Sequence, residues 1–230
     1  SCLSDGEAKP FVKDYGMVIV DECHHVSSVS FEQVLRQVTA TYVYGLTATP
    51  IRKDGHQPII FMQCGKIKFT SDAKSQMENQ GFKRLLIPRF TTFRNVTSDS
   101  KTYVQITQDL SEDKVRNEFI IEDVKAAIQN GRTPLVLTTR TAHVRVLTQM
   151  LIPFVDHVIQ LVGADSAKEK RLALQNLQSI PLSESLAIVA TGKYVGEGFD
   201  YPRLDTLFLT MPIAWKGNVE QYAGRLHREY

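Results

Sequence analysis

Asp21 and Glu22 follow directly on Val18-Ile19-Val20. Three β-branched residues running into two adjacent carboxylates read as a buried strand, covered on both faces, that ends abruptly in a polar site. Open α/β sheets bind ligands at the carboxyl edge of such strands, although a plain strand terminus facing water carries the same residue types. The far end of the chain offers complementary charge. In residues 218–230, Val219, Tyr222, Ala223 and Leu226 fall at i, i+3, i+4 and i+7 and predict the apolar stripe of a helix. Gln221, Gly224, Arg225 and Arg228 share that spacing shifted by two positions, and so take roughly the opposite face. Two arginines one turn apart repel unless an anion or carboxylate lies between them, and the guanidinium fork suits phosphate oxygens. A solvated helix face is the plain alternative. A third signal is Ala190-Thr191-Gly192-Lys193-Tyr194-Val195-Gly196-Glu197-Gly198-Phe199-Asp200. Here a buried strand ends in a loop whose glycines allow close backbone approach to a ligand, followed by an acid able to take a ribose hydroxyl. No Gly-Lys-Ser/Thr closes this loop, so it is not a Walker A loop.

Alternating strands and helices must position these residues. Residues 1–16 read as a loop or helix end, and 17–20 as the first strand. Phe31, Val34, Leu35 and Val38 build an amphipathic helix with Ser30 as its cap and Gln33 three residues on. A second strand, Tyr42-Val43-Tyr44-Gly45-Leu46, ends in Thr47-Ala48-Thr49-Pro50, bringing more polar residues to what could be the same edge. Crowded Ser, Asp, Lys, Asn, Gln and Gly place a linker at 71–82, within a locally basic stretch that reads as solvated. From residue 82 a second unit begins with a strand near 84–93. A helix from about 111 to 129 follows, with Val115, Phe119, Val124 and Ile128 on its apolar face and Asn130-Gly131 at its end. The strand 135–139, the helix 141–152 and the strand 157–162 come next. Ser166-Ala167-Lys168-Glu169 is a capping box opening another helix, and 186–190 and 206–209 are further buried strands. Repeated βα units predict an α/β fold with parallel sheets flanked by helices.

Bulk properties permit this reading without proving it. The 230 residues suffice for one full and one partial domain, each with its own core. A net charge of +2 allows nucleic-acid binding but does not demand it. Three cysteines without close spacing predict reduced thiols and a cytoplasmic setting, and no apolar run suggests a membrane span. A metal site built from Cys23, His24, His25 and Cys64 is disfavoured, because adjacent residues point in different directions and no Cys-x-x-Cys or His-x-x-x-His spacing is present.

Taken in order, the motifs resemble those of superfamily 2 helicases and translocases, ATP-driven nucleic-acid motors built from two RecA-like domains. Asp21-Glu22-Cys23-His24 is similar to the Walker B motif of the DExH branch, and Thr47-Ala48-Thr49 to the motif coupling the two activities. Leu135 to Arg140 resembles motif IV, residues 190–200 motif V, and Gln221-x-x-Gly224-Arg225-x-x-Arg228 motif VI. The stretch 45–55 looks closest to double-stranded-DNA translocases akin to restriction-enzyme motor subunits and related repair helicases.

That resemblance implies roles. Asp21 would hold Mg²⁺ and Glu22 would activate the water attacking ATP, with Arg225 and Arg228 as arginine fingers beside Gln221. Gly198 and Asp200 would touch the nucleotide. His24, Thr47 and Thr49 would couple nucleotide state to the DNA side. Thr139, Arg140 and Thr191 would meet phosphates of DNA, double-stranded by the same resemblance, in contacts that are largely sequence-independent and salt-dependent. Residues 1–70 would form the C-terminal part of RecA-like domain 1, 71–82 a linker and 83–230 a nearly complete domain 2. Only 20 residues precede Asp21, too few to include a Walker A loop, so a fragment is expected, one that hydrolyses no ATP by itself. Its parent could carry fused nuclease or other domains or subunits. The rival reading is a non-hydrolysing clamp for nucleic acid or protein. Intact Glu22, Arg225 and Arg228 weigh against it.

Overall fold

The computed structural model describes residues 3–4, 7–23, 29–47, 57–70, 85–94, 101–163, 166–196, 199–213, 219, 222–224 and 226. The chain divides into two compact units, Ser1–Ile87 and Pro88–Tyr230. The expected linker at 71–82 lies outside the described residues.

In the first unit a two-residue antiparallel pair, β1 (Leu3–Ser4) and β2 (Glu7–Ala8), precedes a 3₁₀ turn at Pro10–Asp14. Proline opens that turn, where its missing N–H has no partner to lose. Strand β3 (Met17–Val20) then pairs in parallel with β4 (Tyr42–Gly45), Met17 opposite Tyr42 and Val20 opposite Gly45. Helix α1 (Val29–Leu35) connects them and α2 (Gln57–Cys64) follows. Ser30 therefore falls inside the first turn of α1 and is not its cap, and the helix starts two residues earlier than expected.

Val20, Cys23 and Ile60 form the core of this unit, with Val18, Leu35, Val43 and Cys64 packed around them. The strand β3 differs from expectation. Val20 is buried, but Ile19 is 60% exposed, and Met17, Tyr42 and Tyr44 are exposed as well. Side chains alternate across a strand, so a β-branched run buries one set and presents the other, here beside the stacked rings of Tyr42 and Tyr44.

The second unit holds a four-stranded sheet. Its strands are β5 (Pro134–Thr138), β6 (His157–Leu161), β7 (Leu186–Thr191) and β8 (Thr206–Leu209), in the order β6-β7-β5-β8 and all parallel. Helices α3 (Tyr103–Glu112), α4 (Lys114–Gln129), α5 (Thr141–Leu151), α6 (Ala167–Ser179) and the short α7 (Gly192–Gly196) complete it. Alternation in β5 and β7 sends Leu135, Leu137, Ile188 and Ala190 to one core with Leu177 of α6. It sends Val136, Ala187 and Val189 to another with Val124 of α4 and Leu147 of α5. Helices thus cover both faces, which explains why every residue of β5 and β7 is buried. The α/β class with parallel sheets flanked by helices stands.

Local chemistry sets the boundaries. The Ser166–Glu169 capping box opens α6, with each side chain bonded to the other residue's backbone N–H. Gly131, at φ 73°, ends α4 in the left-handed region that favours glycine. Three expectations fail. Residues 85–94 form no regular element, although Arg89 makes a two-point bond to Asp123 and lies over the Phe119 ring. The helix expected from 111 starts at Lys114, because Asp113 ends α3 and accepts the Arg116 N–H as the cap of α4. Val115 is then 66% exposed, since the inward face runs through Asn117, Ile121 and Val124. Helix α3 itself goes unforeseen. Two of its three buried residues, Thr107 and Ser111, are polar, which hides its inward face from a hydrophobic pattern. Among the described residues, no helix is long and apolar enough to cross a membrane.

Candidate functional site

The carboxyl ends of β3 and β4 form one edge. Leu46 donates its N–H to Val20 O and receives the Cys23 N–H on its own carbonyl, both at 2.9 Å. Between those two bonds Asp21 and Glu22 swing out of the ladder. Glu22 takes φ 48° and donates its N–H to Asp21 Oδ1 at 2.9 Å. That left-handed conformation costs an L-residue about 1–2 kcal/mol, and Glu lacks the local bonding that lets Asn or Asp tolerate it. Asp21 is exposed and Glu22 half-buried, and Thr47, next after Leu46, is half-buried on the neighbouring strand. Asp21, Glu22 and Thr47 therefore share one sheet edge.

Close packing lies directly beneath. A Cβ on Gly45 would stand 2.8 Å from Cys23 Sγ and 3.0 Å from Cys64 Cβ, so only glycine fits there. Burial pushes the Cys23 thiol up to about 11, helped by Cys64 alongside it, and burial also raises Cys64. Both are free thiols kept in the protonated form, poor nucleophiles and poor ligands. Among the described residues no group of three or more His, Cys, Asp or Glu could hold a metal ion.

In the second unit the carboxyl ends of β5, β7 and β8 make another edge. Thr138 lies opposite Thr191, which brings the turn at Thr139 and Arg140 beside Thr191 and Gly192. A cleft of about 180 Å³ opens there, lined by Tyr103, Thr138, Thr139, Gly192, Met211 and Tyr222. Thr139 is exposed and Arg140 half-buried. Thr191 is 7% exposed and its hydroxyl accepts the Gly163 N–H at 2.9 Å. The start of α7 is tightly fixed, for a Cβ on Gly192 would meet the Tyr222 hydroxyl at 2.4 Å. Farther along, the Tyr194 and Phe199 rings pack edge to face, anchoring the approach to Asp200, which is exposed.

Sequence reasoning misses the polar network under this edge. His143, 1% exposed, bonds through Nδ1 to Thr138 Oγ1 at 2.8 Å and through Nε2 to Asn117 Oδ1 at 2.9 Å. The Asn117 amide donates to Ser111 O at the end of α3, so its oxygen faces His143. Nε2 therefore carries the proton, and Nδ1 accepts the Thr138 O–H. Burial, with Arg116 adding to it, pushes His143 down to about 4. Arg116 itself donates to the carbonyls of Leu110 and Thr210. Arg140 Nη1 reaches back to α3, at 3.2 Å from Val104 O and 3.3 Å from Thr107 Oγ1. One signal could have revealed this. His143 falls in phase with Leu147 and Leu151 on the buried stripe of α5, where a histidine needs two partners.

Six residues assigned roles by resemblance, His24, Thr49, Gly198, Gln221, Arg225 and Arg228, lie outside the described residues.

Comparison with known proteins adds to the geometry. Residues 4–52 match the family described as type III restriction enzyme, res subunit. The chain is 26% identical over 229 residues to "Putative helicase 161L" of Invertebrate iridescent virus 6, covering 95% of this chain and 50% of that protein. It is 24% identical over 231 residues to "Putative ATP-dependent RNA helicase L396" of Acanthamoeba polyphaga mimivirus, covering 94% of this chain and 41% of that one. The chain thus spans about half the length of the curated relatives it matches. Among solved structures, T4 UvsW aligns over 98% of this chain and 44% of its own, at 18% identity and a TM-score of 0.45. The ordered motifs, the family match over residues 4–52 and these relatives together support a likeness to superfamily 2 helicases.

Proposed function

We propose that the chain is the catalytic-edge and nucleic-acid-handling portion of an ATP-dependent DNA helicase or translocase acting on double-stranded DNA. The observation that carries this reading is the left-handed Glu22, held out of the β3 edge beside Asp21 and next to Thr47. Strain of this kind persists where surrounding structure enforces it, and it turns the Glu22 backbone out of the strand line.

In this reading residues 1–70 belong to a first RecA-like domain, 71–82 to a linker and 83–230 to a second. Glu22 accepts a proton from the water that attacks the γ-phosphate. Asp21 fits a Mg²⁺ ion: one carboxylate oxygen takes the Glu22 N–H, leaving a single hard oxygen ligand of the kind used by an ion that keeps most of its water. When bound with ATP, that ion neutralises phosphate charge. Arg225 and Arg228, with Gln221 beside them, stabilise charge developing on the γ-phosphate, while Gly198 and Asp200 contact phosphate or ribose. His24, Thr47 and Thr49 relay the nucleotide state. Thr139, Arg140 and Thr191 meet DNA phosphates at the edge of the second sheet. The order of motifs and the similarity to helicase-named proteins support the reading.

The test is nucleotide hydrolysis by the longest natural protein containing this chain, with and without single- and double-stranded DNA. Glu22→Gln should abolish turnover and preserve ATP binding. Hydrolysis retained in that variant refutes the role of Glu22, and stimulation by RNA alone refutes DNA as the track.

A further inference from the structure

We infer that His143 is a positioning residue for the nucleic-acid edge of the second unit, holding the turn at Thr139 and Arg140 in place through a closed circuit of hydrogen bonds with α3. The inference rests on the proposal that this edge meets nucleic-acid phosphates. The circuit can be followed atom by atom. Thr138 donates to His143 Nδ1, and His143 Nε2 donates to Asn117 Oδ1. The Asn117 amide donates to Ser111 O in α3. At the other half of α3, Val104 O and Thr107 Oγ1 accept from Arg140 Nη1. Arg140 stands two residues from Thr138, and the circuit closes.

Further contacts hold α3 in place around the circuit. Arg116 bonds Leu110 O in α3 and Thr210 O at the end of β8, tying the helix to the sheet. Lys101 pairs with Asp109 at 2.6 Å along α3, and the Tyr103 hydroxyl donates to Pro212 O. Arg140 uses only Nη1 in these bonds. Its Nη2 and Nε are the atoms available for a phosphate oxygen, and their direction is fixed by how Nη1 is held. A hydroxyl, an imidazole and a carboxamide, all buried and all satisfied, would be unnecessary if β5 had only to end there; apolar residues would do the same with less desolvation.

The circuit predicts that breaking it far from the surface alters a surface contact. The probe is a fluorescein-labelled DNA duplex, its binding to the whole chain followed by anisotropy across a potassium chloride series. Thr138→Val removes the hydroxyl and preserves side-chain volume; His143→Phe removes both ring bonds. Each should weaken binding about tenfold and flatten the plot of log affinity against log salt by roughly one phosphate's worth, as Arg140→Gln does. Combining Thr138→Val with Arg140→Gln should flatten it no further. If His143→Phe does not fold, Thr138→Val with far-UV circular dichroism decides alone. A folded Thr138→Val protein with wild-type affinity and salt slope overturns the positioning role and leaves the nucleic-acid reading intact. A wild-type chain that binds neither duplex nor single strand at any salt overturns the nucleic-acid reading, and this inference with it.

Discussion

Acid should weaken the second unit through His143, and the size of the effect follows from its surroundings. The ring is buried between Thr138 and Asn117 as the neutral form, and burial beside Arg116 pushes it down to about 4. An unfolded histidine titrates near pH 6.5. Above that value the ring is neutral in both states and adds no pH dependence. As pH falls below it, the unfolded chain takes up a proton that the folded chain refuses, and stability drops until the folded ring also protonates near pH 4. Linkage gives a loss of about 2 kcal/mol between pH 7.5 and pH 5, and roughly 3 kcal/mol by pH 4. The assay is urea unfolding followed by circular dichroism at several pH values, comparing wild type with His143→Gln. Asp156 and Glu169 are held below the ordinary carboxylate range by bonds from Ser185 and Ser166. Their contribution is present above that range and fades as they protonate at still lower pH. It is common to both proteins and cancels in the difference. The variant should lose the slope between pH 6.5 and pH 4. A slope equal to wild type would refute the neutral, doubly bonded ring.

Three further outcomes follow from packing. Gly192→Ala places a Cβ 2.4 Å from the Tyr222 hydroxyl but 3.1 Å from its Cζ, so it should destabilise by about 1–3 kcal/mol and be largely rescued by Tyr222→Phe, read by thermal melting of the single and double variants. Gly45→Ala should destabilise the first unit by a similar amount of about 1–3 kcal/mol. Here Cys64→Ala should not rescue, because the obstruction includes Cys64 Cβ, which alanine keeps. Leu147→Ala, fully buried, should cost about 2–5 kcal/mol by urea unfolding, against less than about 0.5 kcal/mol for the exposed Val115→Ala.

What could be read from residues alone divides along physical lines. The parallel sheet, the capping box at Ser166 and the stop at Asn130-Gly131 rest on local chemistry and periodicity, and all are present. The polar ends of β3 and β4 do meet, since parallel pairing brings Val20 opposite Gly45. Helix α3 escapes a hydrophobic pattern because its inward side is largely hydroxyl, and 111–129 reads as one helix because Asp113 looks equally like a surface acid. His143 escaped for a related reason. A histidine among leucines is legible as buried, but its partners come from 5 and 26 residues away, and no spacing rule joins Thr138 and Asn117 through a ring.

The complete burial of β5 and β7 leaves a question of alignment that their hydrophobic residues cannot answer. When both faces of a strand are covered, sliding it by one residue exchanges one apolar side chain for another and exposes nothing polar, so pattern does not specify register. In this sheet the threonines at the strand ends do so. Thr138 meets His143, Thr191 takes the Gly163 N–H, Thr210 donates to Leu137 O, and the Thr133 N–H is received by Asp205. Each bond is lost on a one-residue slip and leaves a buried polar atom without its partner. The apolar strand interiors thus leave the register open, whereas the polar groups at the strand ends act as the stops that fix where each strand comes to rest.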